Sequence, residues 1–250
     1  MIRACRHDDV PAVAGLLSEI WRAEGPFAPV SVPLLHALVH TGACVRVAES
    51  DDGTLSGVVV AFAATGDPRV LYTHVLGVAP RARSESLGTA LTREVLHWAH
   101  AAGFTAVEGT FDPLVSRNAH LYLSVLGAQA TRYETDLYGE IDDAINGGQN
   151  TDRLLIRWDL DDTSQKSPTP DTPVRPIVGV SPDGEPTMLD VLDPAVAVAV
   201  PDDIERIRIE SPQLARRWRE VTRCALSRTS TRILAFDRER GYLVTRERSS

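Results

Sequence analysis

The sequence predicts an α+β protein, on three observations. Apolar runs that read as strands are interleaved with stripes of apolar residues at helical spacing. Residues 71–127 read strand, loop, helix, strand, helix in one continuous stretch. A polar, proline-rich segment at 161–176 then interrupts the pattern, and both kinds of element return after it.

In chain order, residues 2–5 read as a short strand. His7, Asp8 and Asp9 offer a helix N-cap and an acidic first turn, with Pro11 near the start. Val10, Val13, Leu17, Ile20 and Trp21 form one apolar stripe, and that helix is expected to end near Glu24-Gly25-Pro26. Residues 32–40 read as a second short helix, stopped at Gly42. Strands at 43–48 and 55–64 flank the hairpin signal Asp51-Asp52-Gly53, and 70–78 is the next strand. Leu87, Leu91, Val95, Trp98 and Ala102 stripe a longer helix that Gly103 caps. A strand follows at 105–111 with Val107, Gly109 and Phe111 on one face, then a helix at 116–126 with Ser116 as N-cap and Gly127 as C-cap. Strands are expected at 129–138 and 153–160, around a polar turn region at 143–150. In the tail, 195–200 reads as a strand and Leu214, Trp218, Val221 and Ala225 as a helical stripe. A closing hairpin turns at Arg240-Gly241. A tail of this length makes a weak core alone, so it is expected to pack against what precedes it.

At 250 residues the chain is one large domain or two small ones. A net charge of −8 argues against a protein held to nucleic acid through phosphate contacts. Lys166 is the only lysine among 26 basic residues, which reads as the codon bias of a GC-rich genome. Cys5, Cys44 and Cys224 have no C-x-x-C spacing, so neither a disulfide framework nor a zinc site is expected. The N-terminus lacks the apolar run of a signal peptide, and no stretch approaches a membrane span. A soluble, cytoplasmic protein without a membrane or nucleic-acid partner is the expectation.

The strand exit Leu76-Gly77-Val78-Ala79-Pro80 leads into Arg83-Ser84-Glu85-Ser86-Leu87-Gly88-Thr89-Ala90. A loop that feeds a helix presents free N–H donors and a positive dipole end, so it can hold a pyrophosphate without basic side chains. Small residues let the backbone come close. Glu85 works against this: a carboxylate about 4 Å from one phosphate charge costs on the order of 1 kcal/mol even in a water-like dielectric. Ser84-Glu85-Ser86 reads equally as a helix-capping segment.

This strand, its Val78-Ala79-Pro80 step and the loop with Arg83, Gly88 and Ala90 resemble motif A of the GNAT superfamily of N-acetyltransferases. A second stretch, Thr110-Phe111-Asp112-Pro113-Leu114 followed by Ser116-Arg117-Asn118-Ala119, resembles a GNAT branch with a TFDPL-x-S-x-NA signature. His74-Val75-Leu76-Gly77-Val78 and Arg157-Trp158-Asp159-Leu160 match that branch as well. The likeness covers roughly residues 2–160. It implies the GNAT fold, a mixed and mostly antiparallel twisted sheet flanked by helices, over residues 1–160. A proline-rich linker at 161–176 and a C-terminal α+β extension at 177–250, packed on the first domain, would follow.

The resemblance also implies a biosynthetic acyltransferase that uses acetyl-CoA or another acyl-CoA and no metal. It would pass the acyl group directly to a small-molecule amine or an amino acid, with a homodimer as one further partner. Its implied CoA-contacting residues are Leu76, Gly77, Val78, Arg83, Ser84, Ser86, Leu87, Gly88, Thr89 and Asn118. The chain departs from the family where Ser84, Glu85 and Ser86 replace a glycine-rich loop. Asn118 reads equally as a residue that turns the helix start.

Acyl transfer to an amine needs a neutral amine, a donor to the thioester oxygen and a proton for the leaving thiolate. The family supplies the oxygen's donor from the strand before the loop, here near Leu76 to Val78. It often supplies the proton from a tyrosine in an L-Y-x-x-x-G pattern, but Leu123 stands at that spacing from Gly127. Tyr122 is one position earlier, about 100° round a helix. It is either the proton donor from a shifted direction or a packing residue.

His74, on the strand entering the site, is the first candidate base, since imidazole changes charge near neutrality. It reads equally as a structural strand histidine. Glu108, facing away from Val107 and Phe111, is the second. Asp112 either orients Arg117 or an acceptor amine, or caps the turn that follows it. His36 and His40 stand four apart without an evident third ligand, so no metal is expected. Two other readings stay open: a degenerate GNAT fold that no longer uses CoA normally and serves another reaction in secondary metabolism, and a non-catalytic binding partner.

Overall fold

The structure, a computed structural model, describes residues 1–23, 28–67, 69–83, 85–141, 143, 145–161, 174–191, 193–227 and 231–246. The helix end expected at Glu24-Gly25-Pro26, the site residue Ser84 and most of the proline-rich segment lie outside the described residues. The chain divides into two compact units. One is Met1–Gly109 with Asp142–Ala144 and Trp158–Thr163; the other is Thr110–Ile141 with Ile145–Arg157 and Ser164–Ser250.

The first unit holds β1 (Ile2–Ala4), α1 (Val10–Trp21), α2 (Val32–His40), β2 (Cys44–Glu49), β3 (Leu55–Ala63), β4 (Val70–Val78), α3 (Glu85–Ala101) and the first four residues of β5 (Ala106–Phe111). The strands lie in the order β1-β2-β3-β4-β5, antiparallel from β1 to β4 and parallel between β4 and β5. A parallel pair needs a crossover, and α3 makes it. Val58, Val59, Val60 and Ala61 are fully buried in sequence, as a strand covered on both faces requires.

Two glycines let the helices in. Gly57 pairs with Val78 and Val58 with Gly77, so the two glycines sit on neighbouring rungs and open opposite faces. A Cβ on Gly77 would stand 2.8 Å from Ile20 and Trp21 of α1, and one on Gly57 would stand 2.9 Å from Leu91 of α3. Each helix therefore presses onto bare backbone.

The second unit holds α4 (Ser116–Ala119), which runs straight into one π-helical turn, His120–Val125. It continues with β6 (Gln129–Glu134), β7 (Glu140–Ile141), β8 (Gln149–Asn150) and β9 (Arg153–Asp159) as far as Arg157. Then come β10 (Arg175–Val180), β11 (Pro186–Met188), β12 (Ala195–Val198), α5 (Ile204–Glu210), α6 (Pro212–Leu226), β13 (Thr231–Asp237) and β14 (Gly241–Arg246). The last five strands form a sheet in the order β11-β10-β12-β14-β13, with only β10 and β12 parallel. Val196, Val198, Trp218, Tyr242, Leu243 and Val244 are its core.

Three local expectations change. The strand expected at 129–138 stops at Glu134, because Asp136 takes a left-handed φ of 53° and the chain turns there. Asp136 is held by its N–H donating to Asp152 Oδ1 (3.1 Å) while its Oδ1 accepts from Thr151 N (3.0 Å). Ser116 does not cap α4; its hydroxyl donates to the Asp202 carbonyl at 3.2 Å. The buried face of α6 is Ala215, Trp218, Arg219, Thr222, Ala225 and Leu226, not the stripe through Leu214 and Val221.

Gly241 opens β14 at φ +84°, and a Cβ there would meet Val198 O at 2.1 Å. Neither the backbone angle nor the space admits a side chain. Gly241→Ala is expected to lower the unfolding free energy by about 2–4 kcal/mol, read from the urea midpoint at unchanged m-value.

Candidate active site

In the first unit, the candidate residues cluster along β4 and its exit. The β3–β4 register pairs Val60 with Val75 and then Ala61 with Thr73, so His74 is the extra residue of a β-bulge. Bulges re-aim a side chain out of the ladder. His74 is exposed, its Nε2 lies 3.1 Å from the Pro29 carbonyl, and its ring is 6.0 Å from that of Phe62. The parallel ladder with β5 runs from Val70 and Ala106 to Thr73 and Gly109, and β4 continues past it through residues 74–78. Glu108, half-buried, is the register partner of Tyr72 and lies on the face opposite the buried Val107 and Gly109.

The direction of the β4 amides follows from one bond. Ala79 N–H donates to Ser56 O at 2.9 Å, toward β3. Amides alternate along an antiparallel strand, so Gly77 also faces β3, while Leu76 and Val78 turn their N–H and C=O groups to the other edge. Gly77, expected to contact a cofactor, has a bare Cα because α1 packs on it.

After Val78 the chain makes a short 3-10 turn, Pro80–Ala82, and enters α3 at Glu85. Arg81 fixes that turn: its Nη1 donates to both carboxylate oxygens of Glu19 at 2.7 Å and its Nη2 to the Leu55 carbonyl at 2.8 Å. Arg83 and Ser86 are exposed, Leu87 and Gly88 half-buried and Thr89 buried. The amides of a first helical turn lack intrahelical acceptors, so this end of a 17-residue helix offers N–H donors beside little bulk. A phosphate group at this end would meet the first-turn N–H donors, and the negative charge of Glu85, the first residue of α3, opposes it.

In the second unit, the Thr110-to-Ala119 signature is fixed by the C-terminal half of the chain. Asp112, 6% exposed, accepts from Leu114 N–H at 2.9 Å and so caps the turn before α4. The same carboxylate accepts from Arg208 Nη2 and, at 3.0 Å, from Arg219 Nη2, and Arg153 Nη1 stands 3.7 Å away. Burial would push the Asp112 carboxyl up; the guanidiniums of Arg208, Arg219 and Arg153 outweigh it and hold it far below the usual carboxylate range. Pro113 O accepts from the buried Tyr242 hydroxyl at 2.7 Å. Arg117 does not meet Asp112; it forms a two-pronged pair with Glu205 at 2.7 Å. Ser124 donates to the Phe236 carbonyl at 2.5 Å.

Asn118 is half-buried in α4, its N–H bonded to Val115 O at 3.0 Å. Tyr122, in the π-helical turn, has its ring 5.5 Å from Phe111, and burial pushes its phenol up to about 12. Leu123 beside it is buried. A second ionic centre lies close to the first in sequence: Asp152 accepts from Arg223 Nε (2.9 Å) and Nη2 (2.8 Å) and from Tyr133 OH (2.7 Å). Sequence reasoning missed Arg153, Arg208, Arg219 and Tyr242. The available signal was an Arg and a Thr inside the stripe that continues from Trp218.

Among the described residues no group of three or more His, Cys, Asp or Glu is set to hold a metal ion. His7 Nδ1 and His36 Nδ1 lie 3.4 Å apart on the surface. Likewise, among the described residues no helix is long and apolar enough to cross a membrane.

The model of the acetyltransferase (GNAT) family matches residues 10–128. No curated protein matches the sequence. Among solved structures, a ribosomal-protein-alanine N-acetyltransferase from Brucella melitensis is 18% identical, with a TM-score of 0.52 over 64% of this chain and 99% of its own. The ribosomal-protein-S18-alanine N-acetyltransferase from Escherichia coli is 13% identical, with a TM-score of 0.53 over 66% and 96%. The yncA protein of Salmonella typhimurium, assigned to the acetyltransferases and solved with its cofactor acetyl-CoA, is 18% identical, with a TM-score of 0.52 over 68% and 97%. At such identities the likeness is one of fold.

Asp112→Asn takes from Arg208, Arg219 and Arg153 the carboxylate they share, which is expected to cost about 3–5 kcal/mol in urea unfolding. The sign with pH follows from the lowered carboxyl: its contribution is complete above about pH 4 and fades as pH falls toward the folded-state value. Acid titration of stability is therefore expected to be shallower below about pH 4 in Asp112→Asn than in the wild type.

Proposed function

We propose, from the match of residues 10–128 to the model of the acetyltransferase (GNAT) family, that the chain is a transferase of that kind and passes an acyl group from acetyl-CoA, or another acyl-CoA, directly to a small amine or amino acid. One observation carries this reading. β4 leaves its parallel partner at Thr73, turns the amides of Leu76 and Val78 outward, and runs through a pinned turn into the N-terminus of α3. Residues 1–160 act as the transferase domain and 177–250 as an extension that braces the signature segment, which the pairs of Asp112 with Arg208 and Arg219 support.

Bound acyl-CoA supplies an activated thioester. The first-turn amides of α3 at Ser86, Leu87, Gly88 and Thr89, with Arg83, would hold its phosphates, and Asn118 would contact its arm; Gly77, packed under α1, would not touch it. The amide of Leu76 or Val78 donates to the carbonyl oxygen, where negative charge develops. His74, lifted out of the ladder by its bulge, takes the amine proton, with Glu108 as the second base. Tyr122 is a full phenol at neutral pH and returns a proton to the leaving sulfur. Asp112 positions the corner that leads to Asn118 and Tyr122, since its own carboxylate is already occupied. A second reading, a GNAT fold repurposed for other chemistry, draws on Leu123, buried where the family often has tyrosine.

Calorimetric titration with acetyl-CoA is expected to give micromolar binding that Gly88→Asp weakens at least about tenfold. No heat with acetyl-CoA or a longer acyl-CoA would retire the transferase reading in favour of the repurposed fold. With an accepted amine, thiol release should slow about 10²- to 10⁴-fold in kcat for His74→Ala, with Glu108→Gln and Tyr122→Phe read in the same assay. Unchanged kcat in His74→Ala moves the base role to Glu108.

A further inference from the structure

We propose that the second unit binds a small oxyanion, a carboxylate or phosphate group, against Arg208, Arg219 and Thr222. The proposal is independent of the acyl-transfer reading. It starts from a surplus of charge. Among the described residues, the ion pairs of Arg153, Arg208, Arg219 and Arg223 run to two carboxylates, Asp112 and Asp152. Asp112 is shared by Arg208 and Arg219, and Asp152 is taken by Arg223 and Tyr133.

The donors tell the same story atom by atom. Arg208 spends Nη1 on the Ile145 carbonyl and Nη2 on Asp112, and its Nε has no partner. Arg219 spends only Nη2, and its Nε and Nη1 have none. Their side chains are 2% and 5% exposed, so solvent does not reach them. Thr222, fully buried on α6, also has an unpartnered Oγ1. It lies three residues after Arg219, on the same helix face. Buried donors are almost always satisfied, and unpaired buried charge is the costlier omission. A water molecule would satisfy hydrogen bonds without offsetting the surplus charge. An oxyanion does both, because it offers several acceptors and negative charge, and Arg is the side chain best matched to it.

The test uses the full-length protein purified in chloride buffer. Ion chromatography of urea-unfolded protein reports any anion carried through purification. Protein dialysed free of it is then titrated calorimetrically with sodium phosphate and, separately, with sodium acetate, at fixed sodium concentration. The expected result is a stoichiometric released oxyanion or saturable heat with one of the two salts. Phosphate alone would mark a phosphate site; acetate would mark a carboxylate site. Thr222→Val and Arg219→Lys, which both leave Asp112 a cationic neighbour, should weaken binding about tenfold or more while the circular dichroism spectrum is kept. Thr222→Val keeps the test open if Arg219→Lys fails to fold. No released anion together with no saturable heat, or equal affinity in Thr222→Val, would overturn the proposal.

Discussion

Asp112 closes the turn before α4 with one carboxylate oxygen and receives Arg208 and Arg219 on the other. Taking a carboxylate out of water costs several kcal/mol, and the interior returns this only where partners are close and well aimed. Here the partners come from α5 and α6, roughly a hundred residues along the chain, so the corner cannot form until the C-terminal half has arrived. The dependence extends along α4, which has only four α-helical residues and would not persist alone. Tyr242, Asp202, Glu205 and Phe236 each hold one further point of the segment. Pro113, Ser116, Arg117 and Ser124, which read like a functional motif, receive those contacts. The segment that carries Asn118 and Tyr122 is thus built by long-range polar contacts laid over a small apolar core.

The first unit solves a different problem. Two neighbouring strands, β3 and β4, must take helices on opposite faces, and β4 must also free part of its edge. The glycines at 57 and 77 do the first, since bare backbone on adjacent rungs admits α3 on one side and α1 on the other. The bulge at His74 and the early end of the parallel ladder do the second. The Arg81–Glu19 pair is half exposed and contributes little as an ion pair, about 1 kcal/mol or less. Its third bond, to the Leu55 carbonyl, fixes the direction in which the chain leaves the sheet.

What the sequence disclosed and what it hid divide along the range of the forces involved. The strands and helices from Ile2 to Ala101 were legible because apolar periodicity is a local property. The strand-to-helix loop was read from a local motif, Val78-Ala79-Pro80 followed by Arg83, Gly88 and Ala90, rather than from periodicity. The register bulge at His74 was not, because it depends on how β3 meets β4. Asp112 was read as a catalytic candidate with a turn cap as the alternative; the cap is what the bonds form, and the arginines that share the carboxylate lie too far along the chain to be paired by spacing. On α6, Leu214 and Val221 looked like the inner stripe, yet Arg219 and Thr222 are buried there instead. A rule that sends charge outward fails when the charge has a buried counterpart.

The π-helical turn bears on the missing tyrosine. Counting back from Gly127 to the residue that should face a substrate assumes about 100° per residue. The structure closes this segment with wider rings: Leu126 N bonds Leu121 O at 3.0 Å and Ala128 N bonds Tyr122 O at 2.8 Å. A turn with an extra residue rotates each side chain less per step, so the position one before the expected one is displaced from where α-helical counting puts it. Leu123 is then a packing residue by burial, while the Tyr122 ring lies 5.5 Å from Phe111. Counting by α-helical steps therefore does not by itself decide between Leu123 and Tyr122 as the residue at the family's position, and the two readings of the site part at that turn.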